Sequence, residues 1–188
     1  AYSSDTERPR FNFSSMSVLH IAPEFYFKEY FTKIFNKYKT ADLHMKNVDY
    51  HIDLTSIPFK YDDSFDLLIA LDVLEHIKED YQAISQIYRI LKPNGIAIFT
   101  VPIGEHTKTV EYPEPNPHET YHVRAPGKDY IQRYNKYFRK VINYKSTDFL
   151  PSKYQLYTYE NRSNFPFETL RPTSKAEKHI EIVSVCYK

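Results

Sequence analysis

The sequence holds no tryptophan, one cysteine, two methionines and only three glycines, Gly95, Gly104 and Gly127. The single thiol, Cys186, excludes an intrachain disulfide framework and any cysteine-rich zinc site. It sits in an apolar alternation near the C-terminus and reads as a small core residue. The cytoplasm is the compartment this usage leads one to expect. No Gly-x-Gly-x-x-Gly run exists, and a pyrophosphate needs such close backbone approach, so nicotinamide dinucleotide chemistry is set aside. No apolar run approaches the ~20 residues of a membrane span. Ala1 to Ser17 lacks the basic-then-apolar layout of a secretory signal. Charge of one sign is missing too: 25 basic and 24 acidic residues leave +1, which points to neither nucleic acid nor an anionic membrane as partner. The basic stretch from Lys128 to Lys145 reads as the solvated side of a helix and its following strand.

What the chain does have is alternation of strand and helix signals. Val18 to Ala22 is a short apolar run suited to a buried strand. Pro23 and Glu24 open a helical pattern that runs through Phe27, Tyr30, Phe31, Ile34, Phe35 and Tyr38. Thr40 to Leu43 and Tyr50 to Leu54 read as the second and third strands. Phe65 to Leu71 is apolar almost throughout, as a strand covered on both faces requires. A helix over Glu79 to Leu91 carries Ile84, Ile87 and Leu91 on one stripe and stops at Lys92-Pro93-Asn94-Gly95. Ile96 to Val101 is a fifth strand. A proline-rich connection then leads to a helix over Lys128 to Phe138, and Val141 to Tyr144 and Ile180 to Cys186 complete the strands. Tyr157 and Tyr159 alternate as in a short exposed hairpin. Residues 1–17 read as an N-terminal extension and 18–188 as one domain. The chain does not open on Met, so a processed chain or a piece of a longer polypeptide stays open. This order predicts an α/β fold, a mostly parallel sheet with helices on both faces, and ligands outside the carboxyl ends of the strands.

Three stretches, Val18 to Glu24, Thr40 to Phe59 and above all Phe65 to Pro102, resemble the class I S-adenosylmethionine-dependent methyltransferases of the type 11 kind. The last reads FDLLIALDVLEHIKEDYQAISQIYRILKPNGIAIFTVP, with strand, Leu-Glu-His, helix, Arg-x-Leu-Lys-Pro-x-Gly and strand in register. The resemblance runs from Val18 to about Tyr144. It implies a Rossmann-like seven-stranded sheet of order 3-2-1-4-5-7-6 with strand 7 antiparallel, and S-adenosylmethionine as cofactor, with S-adenosylhomocysteine as product. It also implies roles for particular residues. Asp42, ending the second strand, stands where an acid accepts both ribose hydroxyls, and Leu43 where a side chain packs on adenine. Asp53 would bond the adenine amino group, with Leu54 offering an amide. Leu71, Asp72 and the Leu74-Glu75-His76 that follows floor the reaction centre. As bare residues, Asp42 and Asp53 also read as turn formers, and Glu75 and His76 as braces for their turn.

One departure stands out. Where the family has an acid and then Gly-x-Gly on which the methionine part of the cofactor rests, this chain has His20 and Ala22-Pro23-Glu24. Ala and Pro restrict backbone shapes that Gly permits. The loop is therefore expected to adopt another shape with Glu24 facing the cofactor's positive charge, or to lose cofactor affinity.

The acceptor side should come from the segment after the fifth strand, Gly104 to Gly127, which holds His106, His118, His122 and Arg124. His122-Val123-Arg124 resembles a His-x-Arg stretch of some small-molecule and glycan methyltransferases. That makes His122 a candidate base or acceptor contact and Arg124 a candidate substrate-binding residue, with His76 as the third catalytic candidate. Both residues also read as loop-carbonyl partners. His118 and His122 would share a helical face, but the surrounding prolines oppose a helix and no third ligand is evident, so no metal is expected. The activity expected is transfer of a methyl group to a hydroxyl or amine of a small molecule or glycan. The alternative is an inactive domain of this fold serving as an interaction scaffold. A second copy of the chain, or further domains of a longer polypeptide, remain open as partners, and the aromatic stretch from Asp148 to Phe167 is a candidate lid or dimer face.

Overall fold

The computed structural model describes residues 12–148, 156–159, 170–173 and 180–188. In chain order its elements are β1 (Ser17–Ile21), α1 (Phe25–Ile34), β2 (Lys37–Asp42), β3 (Tyr50–His51), β4 (Phe65–Leu71), α2 (Asp80–Ile90), β5 (Leu91–Thr100), β6 (Val110–Asn116), β7 (His122–Ala125), α3 (Gln132–Asn135), β8 (Lys140–Lys145), β9 (Leu156–Tyr159), β10 (Leu170–Thr173) and β11 (Ile182–Tyr187). Seven of these strands form one sheet of order β3-β2-β1-β4-β5-β11-β8. β11 runs antiparallel to both β5 and β8, and the strands from β3 to β5 pair in parallel. Counting sheet strands alone, this is the order 3-2-1-4-5-7-6 with an antiparallel seventh.

Both faces of the sheet are covered, which is why β4 is apolar nearly throughout. Its Leu68 and Ala70 pack with Ala83, Ile84, Ile87 and Ile90 of α2 and with Tyr134 and Phe138. Its Leu67 and Ile69 pack on the other side with Val18, Phe35 and Ile96, and Phe31 and Ile34 of α1 close that cluster. Ile84, Ile87 and Ile90 are fully buried, each contributing roughly 1.5–3 kcal/mol of apolar burial.

Three elements differ from expectation. α1 ends at Ile34 and β2 begins at Lys37, so Phe35 and Tyr38 belong to the entry of a strand, not to further helical turns. The expected helix over 128–138 is helical only at Gln132–Asn135. Around it, bonds from Tyr130, Gln132, Arg133 and Tyr134 reach back three residues and still bring Tyr130, Tyr134 and Phe138 onto one buried stripe. The proline-rich connection is an antiparallel ribbon, β6 with β7, whose register shifts between Glu111 and Asn116, the interval holding Pro113 and Pro115. Proline removes a ladder donor, and a two-strand ribbon with a shifted register accommodates that. Gly127 follows the ribbon, where a Cβ would lie 2.4 Å from the Lys108 carbonyl carbon, so glycine is required there for close backbone approach.

β9 and β10 form an antiparallel hairpin that includes Tyr157 and Tyr159. The rest of the stretch proposed as a lid or dimer face lies outside the described residues, as do the first 11 residues. Among the described residues, no helix is long and apolar enough to cross a membrane.

Candidate active site

The strand order reverses between β1 and β4, whose carboxyl ends lie side by side. Two cavities open there. The smaller, about 370 Å³, is lined by Ala22, Asp42, Leu43, Asp53, Leu54 and Asp72, with His44, Ile52, Val73 and His76 among the others. The larger, about 720 Å³, is lined by Glu75, His106, His118, His122 and the Pro102 to Gly104 turn. Asp72 and His76 line both. Pro23, Glu24 and Leu71, expected beside the cofactor, do not line the smaller cavity. Pleat alternation turns Leu71 to the α1 face, where it packs with the Val18 cluster.

In the smaller cavity the strand-end acids keep a turn-forming bond as well. Asp42 Oδ1 accepts the His44 and Met45 amides at 2.6 and 2.8 Å, which fixes the carboxylate at the strand end. Asp53 Oδ1 accepts the Thr55 amide and hydroxyl at 2.8 and 2.7 Å. Leu54 is buried while Leu43 is 50 % exposed, as a residue waiting for a flat partner would be.

The larger cavity is built by β7 crossing over the Leu74–His76 turn. His122 and His76 meet edge to face, centroids 4.7 Å apart at 84°. His122 Nε2 lies 4.0 Å from Glu75 Oε1. Glu75 is 1 % exposed, and neither carboxyl oxygen has a hydrogen-bond partner. Burial pushes its pKa up to about 8; its own amide opposes the rise, Asp72 adds to it, and the Arg124 guanidinium opposes it. Burial also lowers His76, against the pull of the Tyr121 backbone and Asp72. Thr120 and Tyr121, just before His122, both have left-handed backbone, φ 53 and 62. Neither residue is glycine or Asn, so strain is stored where the ribbon delivers His122 to His76.

Arg124 is placed otherwise than expected. It is 1 % exposed and lines neither cavity. Its Nη1 donates to the carbonyls of Leu74 and Ile77 at 2.7 Å, Nη2 to that of Lys78 at 2.8 Å, and Nε to Glu111 Oε2 at 2.9 Å. It ties the ribbon to the turn bearing Glu75 and His76, because a planar guanidinium can donate to several converging carbonyls at once. Arg133 bridges Asp80 and Glu111 beside it, and Tyr130 donates to Asp80 at 2.7 Å. Asp80, Glu111, Tyr130 and Arg133 carried no local sequence signal beyond Asp80 as an acid in a first helical turn; what unites them is tertiary.

Residues 16–99 match the family described as a methyltransferase domain. An S-adenosylmethionine-dependent methyltransferase from Mesorhizobium loti superposes with a TM-score of 0.57 at 12 % identity, covering 94 % of this chain and 93 % of that one. A protein from Pyrococcus horikoshii superposes at 0.55 with 16 % identity over 92 % and 81 % of the two chains. The 4+2 cyclase SpnF aligns at 0.49 and 16 % identity over 69 % of this chain, which spans 53 % of SpnF's length. No curated protein matches the sequence. The chain has the class I methyltransferase fold.

In this fold the first loop holds Ala22 in a backbone region that glycine adopts more readily. Ala22 has φ 46, the left-handed region that favours glycine, and its amide still donates to the Ala41 carbonyl at 2.8 Å. Alanine thus takes a left-handed conformation at a cost of about 1–2 kcal/mol. Glu24 turns back from the cavity: its Oε2 stands 3.2 Å from His20 Nε2, without hydrogen-bond alignment. Burial raises the Glu24 pKa, its own amide lowers it, and the nearby Asp72 charge raises it. His20, in the place of the family's acid, is fully buried, meets the Tyr38 hydroxyl through Nδ1 at 2.6 Å, and is pushed down to about 4 by burial.

Proposed function

We propose that this chain binds S-adenosylmethionine in the smaller cavity and methylates a hydroxyl or amine of a small molecule or glycan held in the larger one. The observation that carries this reading is the junction of the two cavities at Asp72 and His76, a layout that brings a donor and an acceptor together end to end. The residues present fit the cofactor. Asp42 Oδ1 is occupied by the turn, and the residue lines the cavity, where its second oxygen would accept from a ribose diol. Leu43 and Leu54 offer apolar surface for adenine, with Asp53 at its rim. Asp72, with Glu24 close enough to interact with it, makes the methionine end anionic, which suits an ammonium and a sulfonium.

When bound, the cofactor supplies an activated methyl group, so the protein's task is alignment and a dry, shaped site. The Thr100 hydroxyl donates to Asp72 Oδ1 at 3.0 Å, which fixes Asp72 where the two cavities meet. His76 and His122 form the wall an acceptor touches, and Arg124 holds that wall in register. Calorimetric titration with S-adenosylmethionine and S-adenosylhomocysteine tests the reading: one site per chain is expected for each. No heat and no thermal shift at millimolar cofactor would leave the fold as an interaction scaffold.

A further inference from the structure

We infer that Glu75, His76 and His122 form a binding site for one divalent transition-metal ion on the acceptor side of the cleft. The three residues each present one ligand atom, and these atoms all lie within 4.8 Å of one another. Two come from the turn after β4 and one from β7, so the cluster exists only because Arg124 fastens the ribbon to that turn. The donor set is two imidazoles and one carboxylate, the set that leaves a coordination position open on zinc and on iron.

The independent observation is Glu75. A carboxyl group 1 % exposed, with neither oxygen hydrogen-bonded, is costly to keep. It is aimed toward His122, 4.0 Å away, and a cation between them removes that cost. Tetrahedral coordination with bonds of about 2.0–2.2 Å needs ligand atoms roughly 3.4 Å apart, so side-chain rotations of about an ångström suffice to close the cluster. The Tyr121 backbone that interacts with the His76 ring supplies the outer bond that orients a metal-bound imidazole. The remaining positions of the ion open on the larger cavity, which Asp72 borders. On the methyltransfer reading above, the acceptor is therefore a molecule that offers an oxygen ligand, such as a vicinal diol or a hydroxy acid, beside the methyl donor.

The test uses the full chain, stripped of metal with a chelator and then titrated with Zn²⁺ by calorimetry and with Co²⁺ by visible absorption. One equivalent should bind with micromolar or tighter affinity, Co²⁺ should show the intense bands of a low-coordinate site, and the thermal midpoint should rise. Glu75→Gln, which keeps shape and removes the carboxylate ligand, and His122→Gln should each weaken binding at least tenfold, whereas His118→Gln on the same cavity wall should not. Circular dichroism of each variant checks folding. Absence of stoichiometric uptake, or uptake indifferent to both Glu75→Gln and His122→Gln, overturns the inference. Binding of S-adenosylhomocysteine to the metal-free protein is measured on the same sample. Cofactor binding without metal uptake refutes the metal site alone, and metal uptake without cofactor binding refutes the methyltransferase reading alone.

Discussion

The Arg124 guanidinium donates to the Leu74 carbonyl at 2.7 Å, in a place where both groups are fully buried. With Ile77, Lys78 and Glu111 as its other partners, this one side chain satisfies three carbonyls and a carboxylate. Arg124→Met strands the three carbonyls, while Glu111 keeps Arg133, and should lower the unfolding free energy by about 3–5 kcal/mol, measured by urea denaturation. Arg124→Lys should recover little, because an ammonium lacks the planar fork. A loss below about 1 kcal/mol for Arg124→Met would show that the turn stands without the tie.

The ribose assignment of Asp42 has its own measurement. Losing charge-assisted bonds to a diol costs about 1.5–3 kcal/mol each. Asp42→Ala should therefore weaken S-adenosylhomocysteine binding by roughly tenfold or more in calorimetry, while Asp42→Glu keeps part of it. Unchanged affinity for Asp42→Ala removes this residue from the cofactor site.

Ala22→Gly replaces a residue held at φ 46 with the one residue that adopts it freely. Relief of the left-handed strain, less the entropy glycine loses on folding, should raise stability by about 0.5–1 kcal/mol. Thermal and urea midpoints check it. Cofactor affinity should rise or hold, since the turn shape is unchanged.

His20 sets an acid limit. Its imidazole is neutral and buried, with a pKa near 4 against 6.5 when free. The unfolded chain takes up the proton first, so its contribution is complete above pH 6.5 and is lost as the pH falls toward 4, by about 3 kcal/mol in all. Glu24 acts with opposite sign: its raised pKa lets the folded chain accept a proton more readily than the unfolded one as the pH falls. The net slope between pH 6.5 and 4 should flatten in His20→Asn, followed by urea midpoints at stepped pH. An unaltered slope would place the acid sensitivity elsewhere.

The sheet was readable because β4 and β5 are long, apolar and separated by a well-marked helix, and because the parallel order follows from alternation. Asp42, Asp53, Asp72 and Ala22 were readable as residues around one cleft because strand ends define where ligands lie, and they do line the smaller cavity. The acceptor side was harder. Pro113 and Pro115 disguise β6, so the ribbon that carries His122 read as a loop. Arg124 next to a histidine read both as a substrate contact and as a partner of loop carbonyls, and the structure shows the second; no sequence pattern shows that the carbonyls of Leu74, Ile77 and Lys78 are the ones that converge on it. Glu75 read as a brace, yet its oxygens are the ones left unmatched. Glu24, expected to face the cofactor, lies beside His20 for a local reason: its backbone enters α1 in extended conformation, which turns the side chain toward His20 Nε2.

The acidic edge of the smaller cavity bears on turnover as well as on capture. Under the proposed reaction a sulfonium becomes a neutral thioether, so the spent cofactor carries one positive charge fewer toward Asp72. On that reading the carboxylate that favours the fresh molecule holds the used one less tightly, so the change of charge favours exchange of one for the other.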